Sequence, residues 1–354
     1  MDKDIIDIEK HQRYLSRCIQ IAGGGLGLVA PNPMVGSVIV KDDKIIGEGF
    51  HHKFGGNHAE VNAIESVINK ENLKESILYV NLEPCSHFGK TPPCTDLIIK
   101  HKIPEIVIGS TDPFAEVAGR GIQKLKEAGC KVICDVMKNE SIELNKRFFT
   151  YHQIKRPYII LKWAQTFDGY IDIIRSENKI SSPNWITNEY LRMIVHKWRT
   201  EEQAIIVGTK TAYVDNPKLN ARDYEGKNPL RIVIDRDLKL PLDLNLFDRT
   251  VSTIIYTSKN KPSSENLEYC TVDFNVNIIP QILEDLYVRK IQSLIVEGGS
   301  VLINSFYDLN LWDESRVFIG SNLFFNGIKA PGLRGKIIEE QNIYNDKLLI
   351  TRNI

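Results

Sequence analysis

Long apolar runs are missing from this 354-residue chain. No stretch approaches the roughly 18 consecutive apolar residues that span a bilayer. The N-terminus has no apolar centre for a secretory signal either, because Asp2, Asp4 and Asp7 interrupt it. Both absences lead to a cytoplasmic location as the expectation. An excess of either charge is also missing: Lys plus Arg number 45 and Asp plus Glu number 45, for a formal net charge of zero. Such a chain has no global field to hold a polyanion. Nucleic acid and membrane surfaces are therefore not expected as partners, and an anionic ligand has to be met by local cations. Cysteine is scarce, with Cys18, Cys85, Cys94, Cys130, Cys134 and Cys270 the full set. That is too few for a disulfide scaffold at this length, so reduced thiolates are available to a metal. Fixed-period repeats and low-complexity tracts are absent too.

What is present alternates between strand and helix signals. The length exceeds the roughly 100–200 residues of one domain, which predicts two. Helical spacing over 7–22 ends at Gly23-Gly24-Gly25. Apolar runs at 35–40 and 45–50 flank Lys41-Asp42-Asp43-Lys44 as a β-hairpin. A helix is expected from His58 to about Asn69, a strand over 77–82, a helix through Asp96–Ile99, a strand at 106–108 and a helix near 122–128 closed by Gly129. This is a sheet covered by helices, assigned to residues 1–147. Lys155-Arg156-Pro157 marks the boundary, and residues 155–354 form a second α/β domain. Its strands are expected at 158–161, 204–207, 232–234, 253–256, 293–296 and 317–319.

The first domain carries His58-Ala59-Glu60, then Pro84-Cys85 and Cys94, at expected loop-to-helix junctions. One imidazole and two thiolates leave a fourth tetrahedral position on zinc for water, the arrangement of a catalytic rather than a closed structural site. Zinc lowers the pKa of that water towards neutrality. A helix N-terminus favours the thiolate of Cys85. Glu60, two residues past the imidazole, is placed to move the water proton to a leaving nitrogen. The order matches the zinc-deaminase signature except that eight residues, not two, separate Cys85 from Cys94. Gly89 and Pro92-Pro93 give that insert its turn chemistry. Cys130 and Cys134 read as small core residues, and His52 as a solvated neighbour of His51.

Pro31-Asn32-Pro33-Met34-Val35-Gly36, Gly49-Phe50-His51, His58-Ala59-Glu60-Val61 and the run Leu82-Glu83-Pro84-Cys85 through Pro92-Pro93-Cys94 closely resemble the bifunctional riboflavin-biosynthesis deaminase–reductases. Asp112-Pro113 and Val117-Ala118-Gly119-Arg120-Gly121 fit the same family, and the resemblance covers essentially the whole chain. It implies an N-terminal cytidine-deaminase-like α/β/α domain binding one zinc ion through His58, Cys85 and Cys94, with Glu60 as the proton shuttle. It also implies that Asn32, His51, His87 and Lys90 contact a 2,5-diamino-6-(phosphoribosylamino)pyrimidinone that loses its 2-amino group as ammonia. Asn32 offers a donor and an acceptor to a base edge, and Lys90 a point charge to phosphate.

In the second domain, Val296-Glu297-Gly298-Gly299-Ser300 sets glycines between a strand and a helix, where free backbone N–H groups receive phosphate. The pair is not G-x-G-x-x-G, so a Rossmann domain is not supported, and alone it says little. Together with Leu161-Lys162-Trp163-Ala164, Asn184-Trp185, Val207-Gly208-Thr209-Lys210-Thr211 and Asp215 through Arg222, it resembles the reductase half of the same family. The resemblance implies a dihydrofolate-reductase-like α/β fold that uses NADPH. It places Ala164, Trp185, Thr211, Asp215 and Gly299, Ser300, Val301, Leu302, Ile303, Asn304 and Ser305 at the cofactor. It places Arg199, Leu219, Arg222 and Glu297 at the substrate, with Lys162 a candidate to polarise or protonate the sugar. Either Asp215 or Glu297 could assist proton transfer.

Two positions depart from the family: Pro183 stands where serine is common, and Asn216 where a second aspartate is common. A nucleic-acid-editing deaminase with an unrelated C-terminal module is the rival reading. The zero net charge and the Cys85–Cys94 spacing argue against it. A structural zinc joined to a nucleotide sensor is the other alternative, and predicts no turnover. A homo-oligomer is expected.

Overall fold

The structure, a computed structural model of the chain, describes residues 3–86, 92–114, 118–174 and 184–354. The chain divides into two compact units, Met1–Ile154 and Lys155–Ile354.

The first unit runs α1 (Lys3–Ala22), β1 (Gly36–Lys41), β2 (Lys44–Phe50), α2 (Ala59–Ser66), β3 (Ile77–Leu82), α3 (Cys94–Lys100), β4 (Glu105–Ser110), α4 (Arg120–Glu127), β5 (Lys131–Ile133), α5 (Lys138–Leu144) and α6 (Lys146–Ile154). Its sheet order is β2-β1-β3-β4-β5. The β1–β2 and β1–β3 pairs are antiparallel, and β3, β4 and β5 are parallel. Side-chain alternation sorts the strands between two helical layers. Val38, Val40, Tyr79 and Val107 meet Tyr14, Leu15 and Cys18 of α1. Ile39, Leu78, Val80, Ile106 and Ile108 meet Ala63, Ile64, Ile98 and Leu125 of α2, α3 and α4. Cys130 and Cys134 pack at the margin of that second cluster.

Three elements differ from the sequence-based expectation. The helix expected to reach Asn69 stops at Ser66, because Val67 turns extended; Asn69 then caps a 3-10 turn over Lys70–Glu75. Helix α3 starts at Cys94, so that cysteine and not Cys85 stands at the helix start. Helix α6 carries the first unit past residue 147 to Ile154.

The second unit runs β6 (Tyr158–Thr166), β7 (Tyr170–Asp172), α7 (Glu189–Glu201), β8 (Ala204–Val207), α8 (Thr209–Asp215), β9 (Leu230–Ile234), β10 (Thr253–Thr257), β11 (Leu267–Thr271), α9 (Ile278–Val288), β12 (Ser293–Glu297), α10 (Ser300–Asp308), β13 (Glu314–Gly320), β14 (Ile328–Lys329), β15 (Lys336–Ile343) and β16 (Asp346–Arg352). Nine strands form one sheet in the order β11-β10-β9-β8-β12-β6-β13-β16-β15. It is parallel as far as β13, and β16 and β15 close it antiparallel.

Near-continuous apolar strands such as Tyr158–Leu161 and Ser293–Val296 suit a sheet covered on both faces. Helices α9 and α10 cover one face through Ile282, Leu286, Ile303 and Phe306. Ala212, Leu244 and Phe247 cover part of the other, and Leu191 and Val195 pack there on Phe318. The parallel strands all end on one edge, where open α/β sheets bind ligands. Among the described residues, no helix is long and apolar enough to cross a membrane.

Candidate functional sites

The first site lies where α2, α3 and the end of β3 converge. His58 is the residue before α2, extended at φ −71° and ψ 163°. Helix α2 lies close on β2 because Gly49 has no side chain; a Cβ there would stand 2.5 Å from the Ala63 nitrogen. Cys85 lies just beyond β3, and the first N–H of α3, from Cys94, donates to its Sγ at 3.3 Å. Hydrogen bonding from the Cys94 side chain, then from His58 and that N–H, holds the Cys85 thiol well below its ordinary range.

His58 Nδ1 stands 3.5 Å from Cys85 Sγ and 3.4 Å from Cys94 Sγ, and all three ligand atoms fall within 4.8 Å of one another. Zinc bonds of about 2.3 Å to sulfur and about 2.05 Å to nitrogen at the tetrahedral angle require an N–S separation of about 3.6 Å. The donor set and its spacing therefore fit zinc. Among the described residues, no fourth His, Cys, Asp or Glu joins the group.

Glu60, in the first turn of α2, is 3% exposed and within hydrogen-bonding reach of Cys94. Burial raises its carboxyl to about 7, with repulsion from Cys85 adding to the effect. Asn32 and His51 stand together beside this centre. His51 Nδ1 donates to the Asn57 carbonyl at 2.8 Å, which leaves Nε2 to accept from Asn32 Nδ2 at 3.1 Å. The His51 ring meets His58 edge-on at 5.5 Å, and burial lowers its pKa. His52 is exposed. His87 and Lys90 lie outside the described residues.

Two supports of this site escape sequence reasoning. The Glu83 carboxylate accepts from the N–H groups of Asp112, Gly119, Gly121 and Ile122 at 2.9–3.2 Å, tying the start of α4 to the Pro84–Cys85 segment. Asn145 holds Met34 by both its backbone groups, its Oδ1 accepting from the N–H at 2.8 Å and its Nδ2 donating to the carbonyl at 2.9 Å. Asn81 donates to the same carbonyl and accepts from Gly36 N–H, so the Asn32 loop is fixed from two sides. A carboxylate before Pro-Cys and asparagines in apolar surroundings were the available signals.

The second site is a cavity of about 990 Å³ along the strand ends of the second unit. Of the expected residues, Lys162, Ala164, Trp185, Arg199, Thr211, Asp215, Leu219, Arg222, Glu297 and Gly299, Ser300, Val301, Leu302 and Ser305 line it. Ile303 and Asn304 do not. Ile303 is fully buried in the core of the unit, because successive residues of α10 point in different directions. The Leu219 side chain is likewise in the core, so its left-handed backbone (φ 51°) is what it offers the cavity. Pro183 lies outside the described residues.

At the centre of the cavity wall, Glu297 Oε2 accepts from Arg199 Nη2 at 2.9 Å, and Glu297 Oε1 stands 3.8 Å from Lys162 Nζ. Burial pushes the Glu297 carboxyl up, but Arg199 and Lys162 more than reverse it, and the net shift is downward. Burial lowers the Lys162 pKa against the pull of Glu297. Arg199 Nε and Glu297 Oε1 are buried with no hydrogen-bond partner, Oε1 having only the longer ion pair with Lys162. Gly298 takes φ 116°, and a Cβ there would stand 2.8 Å from Thr211 Oγ1. That hydroxyl instead accepts from the Gly299 N–H at 3.0 Å. The volume and the glycine turn fit a dinucleotide, and the cations of the lining fit a small anionic substrate beside it.

Asn216 caps α8 in the left-handed conformation, with its amide oxygen and backbone carbonyl both accepting from Asn245 at 2.7 Å. The departure at this position thus serves the loop that carries Leu219. Sequence reasoning missed Arg192 and His196, which line the cavity with Arg199 on one face of α7. Their spacing of four and then three residues was the signal.

Residues 8–110 match the family described as the cytidine and deoxycytidylate deaminase zinc-binding region, and residues 157–334 match the RibD C-terminal domain. The riboflavin biosynthesis protein RibD of Aquifex aeolicus is 38% identical over 344 residues, covering 95% of this chain and 93% of the relative. That of Actinobacillus pleuropneumoniae is 40% identical, over 88% of this chain and 83% of the relative. The crystal structure of a diaminohydroxyphosphoribosylaminopyrimidine deaminase/5-amino-6-(5-phosphoribosylamino)uracil reductase from Thermotoga maritima superposes with a TM-score of 0.89 at 36% identity, covering 98% of this chain and all of the other.

Proposed function

Since the chain belongs to the RibD family of bifunctional riboflavin-biosynthesis enzymes, we propose that its two sites act in succession on one phosphoribosylaminopyrimidine. It is a zinc-dependent deaminase joined to an NADPH-dependent reductase. The first unit removes the 2-amino group of 2,5-diamino-6-(5-phosphoribosylamino)pyrimidin-4(3H)-one. The second converts the ribosyl chain of that product to ribityl, giving 5-amino-6-(5-phosphoribitylamino)uracil. The observation that carries this reading is the His58–Cys85–Cys94 cluster at zinc spacing with a buried Glu60 beside it.

Zinc held by these three side chains supplies the Lewis acidity that makes water acidic near neutral pH. Glu60 takes the proton of the attacking water and returns it to the departing amino nitrogen, which leaves as ammonia. Asn32 and His51, locked to each other, present the pyrimidine with polar groups of fixed direction; His87 and Lys90 complete the substrate contacts. In the cavity, NADPH supplies the hydride, received at C1′ of the sugar. Ala164, Trp185, Thr211, Asp215 and the turn from Gly299 position the nucleotide. Arg199 and Arg222 hold the sugar phosphate, Glu297 fixes Arg199, and Lys162 protonates the oxygen released as the ring opens. Six free cysteines support a reducing, cytoplasmic setting, and zero net charge supports a free nucleotide rather than a nucleic acid as substrate. The exposed edge strand β15, with Ile337 and Ile338 uncovered, supports self-association.

The test incubates purified protein with the diaminopyrimidinone phosphate, following ammonia and NADPH absorbance separately. Chelator that strips the zinc is expected to abolish ammonia release, while NADPH oxidation persists when the deaminated uracil is supplied. Ammonia release by fully zinc-free protein refutes the reading, and preference for tRNA over the free nucleotide replaces it with the rival deaminase.

A further inference from the structure

We propose that Lys210 receives the 2′-phosphate of NADPH and so sets the preference for NADPH over NADH; this rests on the assignment of the strand-end cavity to the nucleotide. Six cations line the cavity: Lys162, Arg192, Arg199, Lys210, Lys218 and Arg222. Four are engaged. Lys162 and Arg199 face Glu297, Arg222 lies against Asn220 and Asp223, and Arg192 covers the Trp185 ring at 4.4 Å. The side chains of Lys210 and Lys218 make no hydrogen bond or ion pair with a described residue.

Position separates these two. Along the sheet the order β6, β12, β8, β9 sets Lys162 and Glu297 on the first two strands, which is the reacting end. Lys210 follows β8, and its neighbour Thr209 is bonded through Oγ1 to the carbonyl of Ile234, the last residue of β9. Thr211, one residue on, joins the Gly298–Gly299 turn. A dinucleotide with its nicotinamide by Lys162 and its central phosphates at the glycine turn therefore extends its adenosine ribose towards β8 and β9. Lys218 follows the far end of α8, and its chain leads into Leu219 and Asn220, whose carbonyl accepts from Arg199. That places Lys218 on the side of the substrate phosphate. The 2′-phosphate is the one group that distinguishes NADPH from NADH, and a dianion in a chain of zero net charge requires a nearby cation with no other partner. Lys210 meets that requirement.

Calorimetric titration of the full chain with adenosine 2′,5′-bisphosphate and with 5′-AMP tests this without turnover. The unaltered protein is expected to bind the bisphosphate at least about tenfold more tightly, and Lys210→Gln to erase that difference while leaving 5′-AMP affinity unchanged. Lys218→Gln is expected to keep the difference, and Thr211→Val to weaken both ligands. A Lys210→Gln protein that still favours the bisphosphate, or loss of the preference in Lys218→Gln instead, overturns the role of Lys210 and leaves the cavity assignment standing. Failure of both ligands to bind the unaltered protein, or Thr211→Val that weakens neither, overturns the cavity assignment and this inference with it. Lys210 is exposed, and equal melting temperatures check that its replacement leaves the fold intact.

Discussion

Glu60 and Glu297 are both buried glutamates at the heart of a site, 3% and 8% exposed, yet their surroundings drive them in opposite directions. Around Glu60, burial and the Cys85 sulfur both oppose ionisation and raise the carboxyl to about 7. Around Glu297, burial has the same sign, but Arg199 at 2.9 Å and Lys162 at 3.8 Å outweigh it. One carboxyl is set to exchange a proton and the other to stay a permanent anion. Residue type does not decide the role; the charges within a few ångströms do. The same contrast extends to the walls. The first site holds compact metal ligands, two at the starts of short helices and one beyond the end of a strand, whereas the second is a long cavity whose cations are mostly committed to internal partners.

Replacing each glutamate in turn by its neutral isostere breaks the comparison most directly. Glu60→Gln is expected to lower ammonia release by about 10²–10⁴-fold with zinc content unchanged, and to leave NADPH oxidation of supplied deaminated substrate intact. Retained deamination removes Glu60 from the proton path.

Glu297→Gln is expected to lower the reduction rate by about 100-fold through the loss of a preorganised charge. It also makes a directional prediction. Glu297 raises the Lys162 pKa, so its removal lets burial and Arg199 lower that pKa further. If Lys162 gives up the proton, the alkaline limb of the reduction profile moves to lower pH. An unmoved limb shows that another group donates.

The smallest effect sharpens the electrostatic account of the second site. Burial, then Arg199 and Arg222, lower the His196 pKa from 6.5 to about 4, against Asp223 and Glu297. The unfolded chain takes up this proton below pH 6.5 and the folded one only near pH 4, so stability is lost as pH falls through that window. Melting temperature measured across it is expected to decline less steeply in His196→Gln. An identical slope assigns the loss to other groups.

The metal ligands and Glu60 were legible because their spacing in the chain is itself the motif. The glycine turn was legible as a strand end followed by a helix start, whereas Lys162, expected at a strand end, stands inside β6. The supports were not. Glu83 and Asn145 act on backbone groups that are remote in sequence, and no local pattern encodes such partners. Arg192 and His196 share helical spacing with Arg199, but polar residues at that spacing also describe a solvated face. Within the stretch expected at the cofactor, Gly299 to Ser305, the rotation of α10 sends the Ile303 side chain into the core, which contiguity in sequence does not reveal. The β15–β16 hairpin went unread because β15 is exposed along nearly all its length and carries little apolar signal.

The clasp of Asn145 on Met34 has a consequence for dissecting the molecule. The recognised zinc-binding stretch ends at residue 110, thirty-five positions before this asparagine. A fragment trimmed to the recognised stretch would keep every metal ligand yet leave the N–H of Met34 unbonded and the Asn32 segment attached from one side alone. The smallest free-standing catalyst of the first reaction must therefore run through the junction of α5 and α6, far beyond its last zinc-binding sulfur.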